Sequence, residues 1–213
     1  MIPYNFYYWG PLLTRTELSD DIIKMLAEKG DELTIEEHDH SKHLVGEIEE
    51  EKKYPEDFTR QISKLLRPHV DNYFDVLKNQ WNPTYKDIKT VYKLQSMWIN
   101  YQRKGESNPI HQHDCDISFV IYVDIPQEII DEEPRHGAHN LPPGCIVFDH
   151  AQSMNHLDDD IFRKALSPIN HFVHQPKTGE MFIFPSTLRH YVLPFYSDVV
   201  RKSISGNYRL RRL

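Results

Sequence analysis

The sequence contains only two cysteines, Cys115 and Cys145, among its 213 residues. Two thiols cannot form a disulfide framework, and so low a count is typical of a protein from a reducing compartment. No apolar run approaches the roughly 20 residues that a membrane-spanning helix needs. Residues 1–9 also lack the basic region of a signal peptide. The sequence therefore predicts a cytoplasmic protein without a membrane segment.

Basic residues are also fewer than acidic residues. The chain has 25 Lys and Arg against 32 Asp and Glu, and its formal net charge is −7 at pH 7. This balance argues against a general nucleic-acid-binding protein, although the C-terminal run Arg209–Leu213 is locally basic. The sequence has no Walker loop, no CxxC pair and no Gly-x-Ser-x-Gly turn, which excludes the enzyme classes that depend on those motifs.

The N-terminal part has the hydrophobic periodicity of helices. Ser19 has the position of an N-cap, and the helix that it begins is expected to end at Gly30. A second helical pattern begins at Pro55, and Pro68 is expected to interrupt or restart it. Between the two helices, residues 31–54 are densely charged and predict an exposed loop.

Short β-prone runs separated by Gly, Pro, Asn and Asp follow the helices. They are Val91–Gln102, Ile117–Ile125, Gly144–Phe148, Gly179–Phe184, His190–Phe195 and Val199–Tyr208. Helices followed by strands indicate an α+β fold with a helical flank packed on a sandwich or jelly-roll barrel. We expect one domain over residues 1–213, with the flank in 1–90 and the β core in 91–208. Two insertions, 126–143 and 149–178, are longer than ordinary hairpins and are expected to be either functional lids or disordered segments.

Three histidines are candidate metal ligands. His111 and His113 have i, i+2 spacing, which places them on the same face of an extended chain, and a β-prone run follows as a stiff support. His190 begins a strand far along the chain. A double-stranded β-helix, the cupin-like form of the jelly roll, brings such distant strands together at its mouth. A second pair, His38 and His40, lies in the charged loop and is interpreted as solvated surface.

Arg201 and Ser203 are expected on one face of a late strand, because they are two residues apart. Arginine can hold a carboxylate through two parallel hydrogen bonds, and a hydroxyl two residues further on can add a third. A buried arginine needs a partner, so this pair predicts an anion site.

Four blocks taken together resemble a known family, the Fe(II)- and 2-oxoglutarate-dependent oxygenases. The similarity covers roughly residues 90–208 and is greatest to small members of marine bacteria and their phages, which implies the host cytoplasm for a phage-encoded protein. The blocks are Trp98–Gly105, the His111-x-His113 segment with its strand ending at Asp124, Gly179–His190 and Arg201–Asn207. The last two are the most specific.

The resemblance implies a dioxygenase that uses Fe(II), 2-oxoglutarate and O₂, with ascorbate as an auxiliary reductant. It would hydroxylate a C–H bond of a protein, peptide or small-molecule substrate, with peptidyl-proline suggested by analogy, and release succinate and CO₂. By resemblance, His111 and His190 would be iron ligands. The family usually has Asp or Glu where this chain has His113. The third ligand is therefore His113, Asp114 or water, and the i+2 spacing favours His113.

The resemblance also implies a binding site for the co-substrate. Arg201 and Ser203 would bind the distal carboxylate of 2-oxoglutarate. Tyr122 falls where prolyl-hydroxylase-like members place a tyrosine against the same molecule, and Tyr101 is a weaker candidate of the same kind. The expected catalytic set is therefore the three histidines together with Arg201.

Two other functions compete with this interpretation. One is a cupin-like three-histidine metal enzyme that does not use 2-oxoglutarate. The other is a non-catalytic jelly-roll protein, either a virion component or a binding protein, with a vestigial metal site. Metal content without 2-oxoglutarate binding would favour the first, and no metal uptake would favour the second.

Overall fold

The computed structural model describes residues 10–41, 46–134, 141–150 and 171–213. Residues 135–140 of the first predicted insertion and residues 151–170 of the second lie outside the described residues. In the described part of the chain, no helix is long and apolar enough to cross a membrane.

Within the residues that the structure describes, the N-terminal part contains three α-helices and two short strands. In chain order they are strand β1 (Thr14–Glu17), helix α1 (Asp20–Glu32), helix α2 (Ile35–His38), strand β2 (Glu51–Lys53) and helix α3 (Glu56–Val76). One π-helical turn, Leu77–Trp81, and one 3₁₀ turn, Pro83–Tyr85, lead into the β-rich part.

Strands are the main elements of the described residues that follow. They are β3 (Thr90–Gln102), β4 (Asn108–His111), β5 (Ile117–Asp124), β6 (Ile146–Asp149), β7 (His171–His174), β8 (Glu180–Pro185), β9 (Arg189–Val192) and β10 (Arg201–Arg212), with a short helix α4 (Gln127–Ile130) after β5. All six predicted strands are present with small shifts at their ends.

The strands form two antiparallel sheets. The six-stranded sheet has the order β1-β8-β5-β10-β3-β2, and the four-stranded sheet has the order β4-β9-β6-β7. Most neighbours in each sheet are not consecutive strands of the chain, as the paired ladders of a double-stranded β-helix require. Buried side chains of both sheets pack together between them, including Val120, Tyr122 and Phe182 from the large sheet with Ile146 and Phe148 from the small one. The predicted double-stranded β-helix is confirmed.

The helices cover the outer face of the large sheet. Leu26 of α1 and Ile62, Leu66 and Val70 of α3 pack in one buried cluster with outward-facing sheet residues such as Ile121. This apolar stripe on each helix is what the 3.6-residue period predicts.

Two details of the predicted helices are wrong. Helix α1 runs past Gly30 to Glu32, and the backbone N–H of Leu33 closes the helix on the Gly30 carbonyl. Helix α3 runs through Pro68 without a break. Pro68 is on the exposed face, so the carbonyl that loses its hydrogen-bond donor can bond to water instead.

The charge-rich stretch 31–54 is not simply an exposed loop. It contains α2 and β2, and β2 pairs with β3 at the edge of the large sheet. Glu51 and Lys52 of β2 are buried. At the opposite edge of the sheet, β1 pairs with β8, so the N-terminal part supplies both edge strands.

Candidate metal and co-substrate site

The three histidines predicted from the sequence lie together at the mouth of the double-stranded β-helix. His111 ends β4 and is paired directly with His190 on the neighbouring strand β9. His113 follows two residues after β4. The ring centroids of His111 and His190 are 4.3 Å apart, and that of His113 lies 5.1 Å from His111 and 5.2 Å from His190. One potential ligand nitrogen from each ring lies within 4.8 Å of the other two.

Backbone carbonyls fix the orientation of two of these rings. Nδ1 of His111 lies 2.7 Å from the Pro109 carbonyl oxygen, and Nδ1 of His190 lies 2.9 Å from that of Leu188. Because a carbonyl only accepts hydrogen bonds, each Nδ1 carries the proton, and each Nε2 keeps a free lone pair. Second-sphere bonds of this kind are typical of metal-binding histidines.

Burial keeps the histidines in the neutral form that binds metals. Desolvation and then the neighbouring His111 lower the pKa of His113 to about 4. The same two causes lower the pKa of His190 to about 3, although its bond to the Leu188 carbonyl opposes the shift. The pKa of His111 is also lowered by burial. No ligand proton therefore has to be displaced near neutral pH.

Asp114 also lines the cavity next to the histidines. Among the described residues, however, the group that could hold one ion consists of the three histidines and does not include Asp114. Chain geometry is consistent with this difference, because residue i+2 of an extended segment shares the face of residue i, whereas the chain bends at Asp114.

Arg201, at the start of β10, is buried beneath the same cavity with 2% of its surface exposed. It donates a hydrogen bond from one terminal nitrogen to Oε1 of Gln102, its register partner on β3. Its Nε–H has no hydrogen-bond partner. No carboxylate of the described chain forms a salt bridge with the guanidinium group, although an unpaired buried charge is costly.

Tyr122 of β5 lies beside this guanidinium group. The Arg201 Cζ atom is 5.2 Å from the centroid of the Tyr122 ring. The tyrosine is fully buried, and its hydroxyl group has no hydrogen-bond partner within the distance and angle limits of a hydrogen bond. Burial raises the pKa of Tyr122, and the charge of Arg201 opposes that rise only in part. The phenol therefore stays protonated and can donate a hydrogen bond to an anion held by Arg201.

Ser203 is paired with Tyr122 on one side and with Asn100 on the other. It lines the cavity together with Ser205, two residues further along β10. The Asn100 side-chain amide donates a hydrogen bond of 3.1 Å to the Ser203 carbonyl and lies 3.4 Å from each of the two serine hydroxyl oxygens. Arg201 and Ser203 therefore both face the cavity, as predicted, on a strand that is hydrogen-bonded to β3 on one side and to β5 on the other.

Tyr101 is not brought to the site. Asn100 and Gln102 of β3 face the cavity, so the residue between them points to the opposite face of the sheet. The Tyr101 hydroxyl donates a 2.9 Å hydrogen bond to Asp31 of helix α1. The prediction that Tyr101 contacts a co-substrate is therefore dropped. The polar residues Asn100 and Gln102 on either side of Tyr101 were the signal that could have excluded it.

Glu51 lines the cavity and was missed by the sequence analysis. It lies on β2 opposite Asn100. Nothing in the acidic run around it distinguishes one glutamate from the next, and the short strand that buries it shows no clear β periodicity.

The cavity joins the histidines to Arg201 and has a volume of about 210 Å³. At its mouth, three neutral imidazoles provide a donor set suited to Fe(II) and similar divalent metals, with room for further ligands. At its base, the unpaired guanidinium group is suited to a carboxylate. The residues present therefore fit both a metal ion and a dicarboxylate that reaches from the metal to Arg201.

A search of curated proteins finds no match to this chain. Several solved structures have the same fold. A prolyl-4-hydroxylase from Pseudomonas putida is 15% identical with a TM-score of 0.54, and the match covers 92% of this chain and 91% of that one. A viral collagen prolyl hydroxylase from Paramecium bursaria Chlorella virus-1, solved with 2-oxoglutarate, is 13% identical with a TM-score of 0.50 over 92% and 94%.

HygX from Streptomyces hygroscopicus, solved with nickel and 2-oxoglutarate, is 9% identical with a TM-score of 0.52, over 92% of this chain and 82% of that one. At these identities the structural matches establish the fold alone. The family model described as "Putative 2OG-Fe(II) oxygenase" matches residues 96–207, more than half of the chain. That span includes the three histidines, Tyr122, Arg201 and Ser203. The chain therefore belongs to the 2OG-Fe(II) oxygenase family, whose members use Fe(II), 2-oxoglutarate and O₂.

Proposed function

We propose that His111, His113 and His190 hold the Fe(II) of this oxygenase, and that Arg201 binds the distal carboxylate of 2-oxoglutarate. The observation that carries this proposal is the buried Arg201, which has no carboxylate partner in the described chain and lies at the base of the cavity that holds the three histidines. A dicarboxylate between the two would compensate the charge and satisfy the free Nε–H donor.

Tyr122 and Ser203 complete the proposed carboxylate site. The Tyr122 hydroxyl is a second unused donor next to the guanidinium group. The Ser203 hydroxyl lies on the cavity side of β10, two residues from Arg201. Three donor groups on two adjacent strands would fix the co-substrate before the reaction, which is the positioning that cofactor chemistry requires.

The proposed reaction consumes 2-oxoglutarate, O₂ and a substrate R–H and forms succinate, CO₂ and R–OH. When bound, iron would supply oxygen activation coupled to the decarboxylation of 2-oxoglutarate. The protein keeps the three imidazoles neutral and oriented, aligns the co-substrate through Arg201 and limits the access of water by burying the base of the site.

The substrate class is a further proposal. Membership of the oxygenase family favours a peptide or a small molecule as the substrate, and a peptidyl-proline is the first substrate to test. Two of the proteins that share the fold are called prolyl hydroxylases, which supports that choice by analogy. We also propose a cytoplasmic location, either bacterial or in the host of a phage, because Cys115 and Cys145 are both free thiols.

Succinate formation tests the proposal. The protein is incubated with Fe(II), 2-oxoglutarate, ascorbate and O₂, and succinate is measured over a range of 2-oxoglutarate concentrations. Arg201→Gln removes the charge that anchors the carboxylate and should raise the KM for 2-oxoglutarate at least about tenfold. Arg211→Gln makes the same change at an exposed position of the same strand and should leave the KM unchanged. Equal KM values for the two variants would contradict the anchor.

A further inference from the structure

Glu51 places a carboxyl group in the wall of the same cavity that Arg201 lines. It lies on the edge strand β2, its register partner on β3 is Asn100, and both side chains line the cavity. Glu51 is only 1% exposed. It therefore reaches into the site from the N-terminal part of the chain, outside the matched region 96–207.

Neither carboxyl oxygen of Glu51 has a hydrogen-bond partner. The preceding residue Glu50 forms salt bridges of 2.9 Å with Lys52 and 2.6 Å with Arg103, and neither of these basic residues is among the charges that act on Glu51. Burying a carboxyl group without a partner costs free energy of folding. The group is therefore free to interact with a molecule in the cavity.

The surroundings of Glu51 favour a cation. Glu106 and Asp39 are the charged groups that act on it, and both are acidic. Trp98 lies two residues before Asn100 on β3, is nearly fully buried and lines the same cavity. Indole rings attract cations through their π faces. The Trp98 ring centroid lies 6.0 Å from that of His113, so this wall adjoins the proposed metal site.

We propose that Glu51 is a specificity-determining residue that binds a basic group of the substrate, an ammonium or a guanidinium, beside the metal site. This inference rests on the proposed function, because it assigns the substrate side of the same cavity. The two residues then select ligands of opposite charge. Arg201 attracts the anionic co-substrate, and Glu51, ionised when a cation arrives, holds the cationic substrate.

The state of Glu51 changes when such a substrate binds. Burial first, and then the charges of Glu106 and Asp39, raise the pKa of Glu51 to about 8. At neutral pH the empty cavity therefore holds the neutral acid, which limits the cost of burial. An arriving cation would stabilise the carboxylate, and the proton would leave to solvent.

The test uses the protein loaded with Zn(II), as an inert substitute for Fe(II), and with 2-oxoglutarate. Butylammonium is the cationic probe, and 1-butanol is its neutral counterpart. Binding is measured at pH 7 by ligand-observed NMR titration. Infrared difference spectra follow the protonated carboxyl band, which a merely structural role of Glu51 would not change on adding the probe.

Glu51→Gln keeps the shape but removes the ionisable group, and Glu49→Gln makes the same change at an exposed position nearby. We expect Glu51→Gln to weaken butylammonium binding at least tenfold and to abolish the infrared change. Glu49→Gln should behave like the wild type, and 1-butanol should not distinguish the proteins. If Glu51→Gln does not fold, Glu51→Met, which conserves volume, takes its place with the same expectation.

Equal butylammonium affinity in the wild type and Glu51→Gln would overturn the inference, and so would the absence of binding to a wild type that holds 2-oxoglutarate normally. Failure of the Zn(II)-loaded wild type to bind 2-oxoglutarate would instead overturn the proposed function, and this inference with it.

Discussion

At the scale of single residues, chain geometry favours His113 over Asp114 as the third ligand of the proposed metal site. His113 lies two residues after His111 and shares its face, whereas Asp114 lies outside the group of atoms that could hold one ion. Three neutral imidazoles would leave the iron complex one unit more positive than the usual two-histidine, one-carboxylate set. Such a site holds anionic ligands such as 2-oxoglutarate more strongly through its charge.

Metal titration separates the two candidate ligands. His113→Ala should weaken Co(II) binding, followed by its visible spectrum, by more than about 100-fold, which exceeds the loss that an outer-shell change causes. Asp114→Ala should change the affinity by less than about tenfold. The reverse order of the two variants would identify Asp114 as the ligand.

Glu51 should also make the stability of the metal-free protein depend on pH. Its pKa is about 8 in the folded protein and near the usual 4.5 in the unfolded chain. Between these values the folded state holds the extra proton, so the stabilisation is complete below pH 4.5 and is lost as the pH rises towards 8. Relative to Glu51→Gln, the wild type should lose stability with a slope approaching about 1.4 kcal/mol per pH unit.

Urea unfolding of both proteins at several pH values between 5 and 8.5 measures this difference. Because Glu106 and Asp39 are present in both, their own titration largely cancels. A difference in unfolding free energy that stays constant over this range would show that Glu51 is ionised throughout.

The site residues could be predicted from the sequence where their spacing along the chain was informative. His111, His113, His190 and Arg201 carry a recognisable order along the chain, and the structure brings all four to one cavity. Glu51 was not predictable, because its burial depends on the pairing of β2 with β3, a contact between distant segments.

At the level of elements, the inner strands were predictable and the edge strands were not. Long β-branched and aromatic runs such as β5 and β8 are buried on both faces and can be identified from composition. Short edge strands such as β1 and β2 gain their stability from the sheet that they join, so their own sequence contains little signal.

Helix α1 shows how a close contact can override a local rule. Gly30, expected to end the helix, lies within it because the backbone packs tightly on the sheet. A Cβ atom at this position would lie 2.5 Å from Cδ1 of Ile99 and 2.9 Å from the Tyr54 hydroxyl. Glycine is therefore required here by space and not by backbone conformation.

Replacement of this glycine tests the packing. Alanine favours a helix over glycine by about 1 kcal/mol. The forced shift of Ile99 and Tyr54 should exceed that gain, so Gly30→Ala should lower the free energy of unfolding by about 1–2 kcal/mol. Glu28→Ala, exposed on the same helix, should change it by less than about 0.5 kcal/mol. Chemical denaturation of both variants measures the difference, and a more stable Gly30→Ala protein would refute the contact.

On the scale of the whole molecule, the cavity depends on parts of the chain that are far apart in sequence. The core strands supply the histidines, Arg201 and Ser203, while β2 from the N-terminal part supplies Glu51 at the edge of the same sheet. Folding therefore places one positive and one acidic group in a single buried space. Neither group pairs with the other, and each remains available to a ligand of opposite charge.

The general fold was predictable for two reasons. The sequence has helices followed by strands, and its candidate metal ligands are far apart along the chain. Few architectures are compatible with both features. The face on which each side chain lies required the register of the sheet. Tyr101 illustrates this point, since it is one residue from two cavity-lining positions and yet contacts helix α1.

The most direct measurement is an anaerobic titration of 2-oxoglutarate into the Fe(II)-loaded protein, followed by visible absorption. Chelation of the metal by the co-substrate should produce a weak charge-transfer band that saturates at one 2-oxoglutarate per iron, and Arg201→Gln should need at least about tenfold more 2-oxoglutarate to reach it. Absence of the band in the wild type, or the same titration curve in Arg201→Gln, would contradict a site in which three histidines and a buried arginine hold iron and co-substrate together.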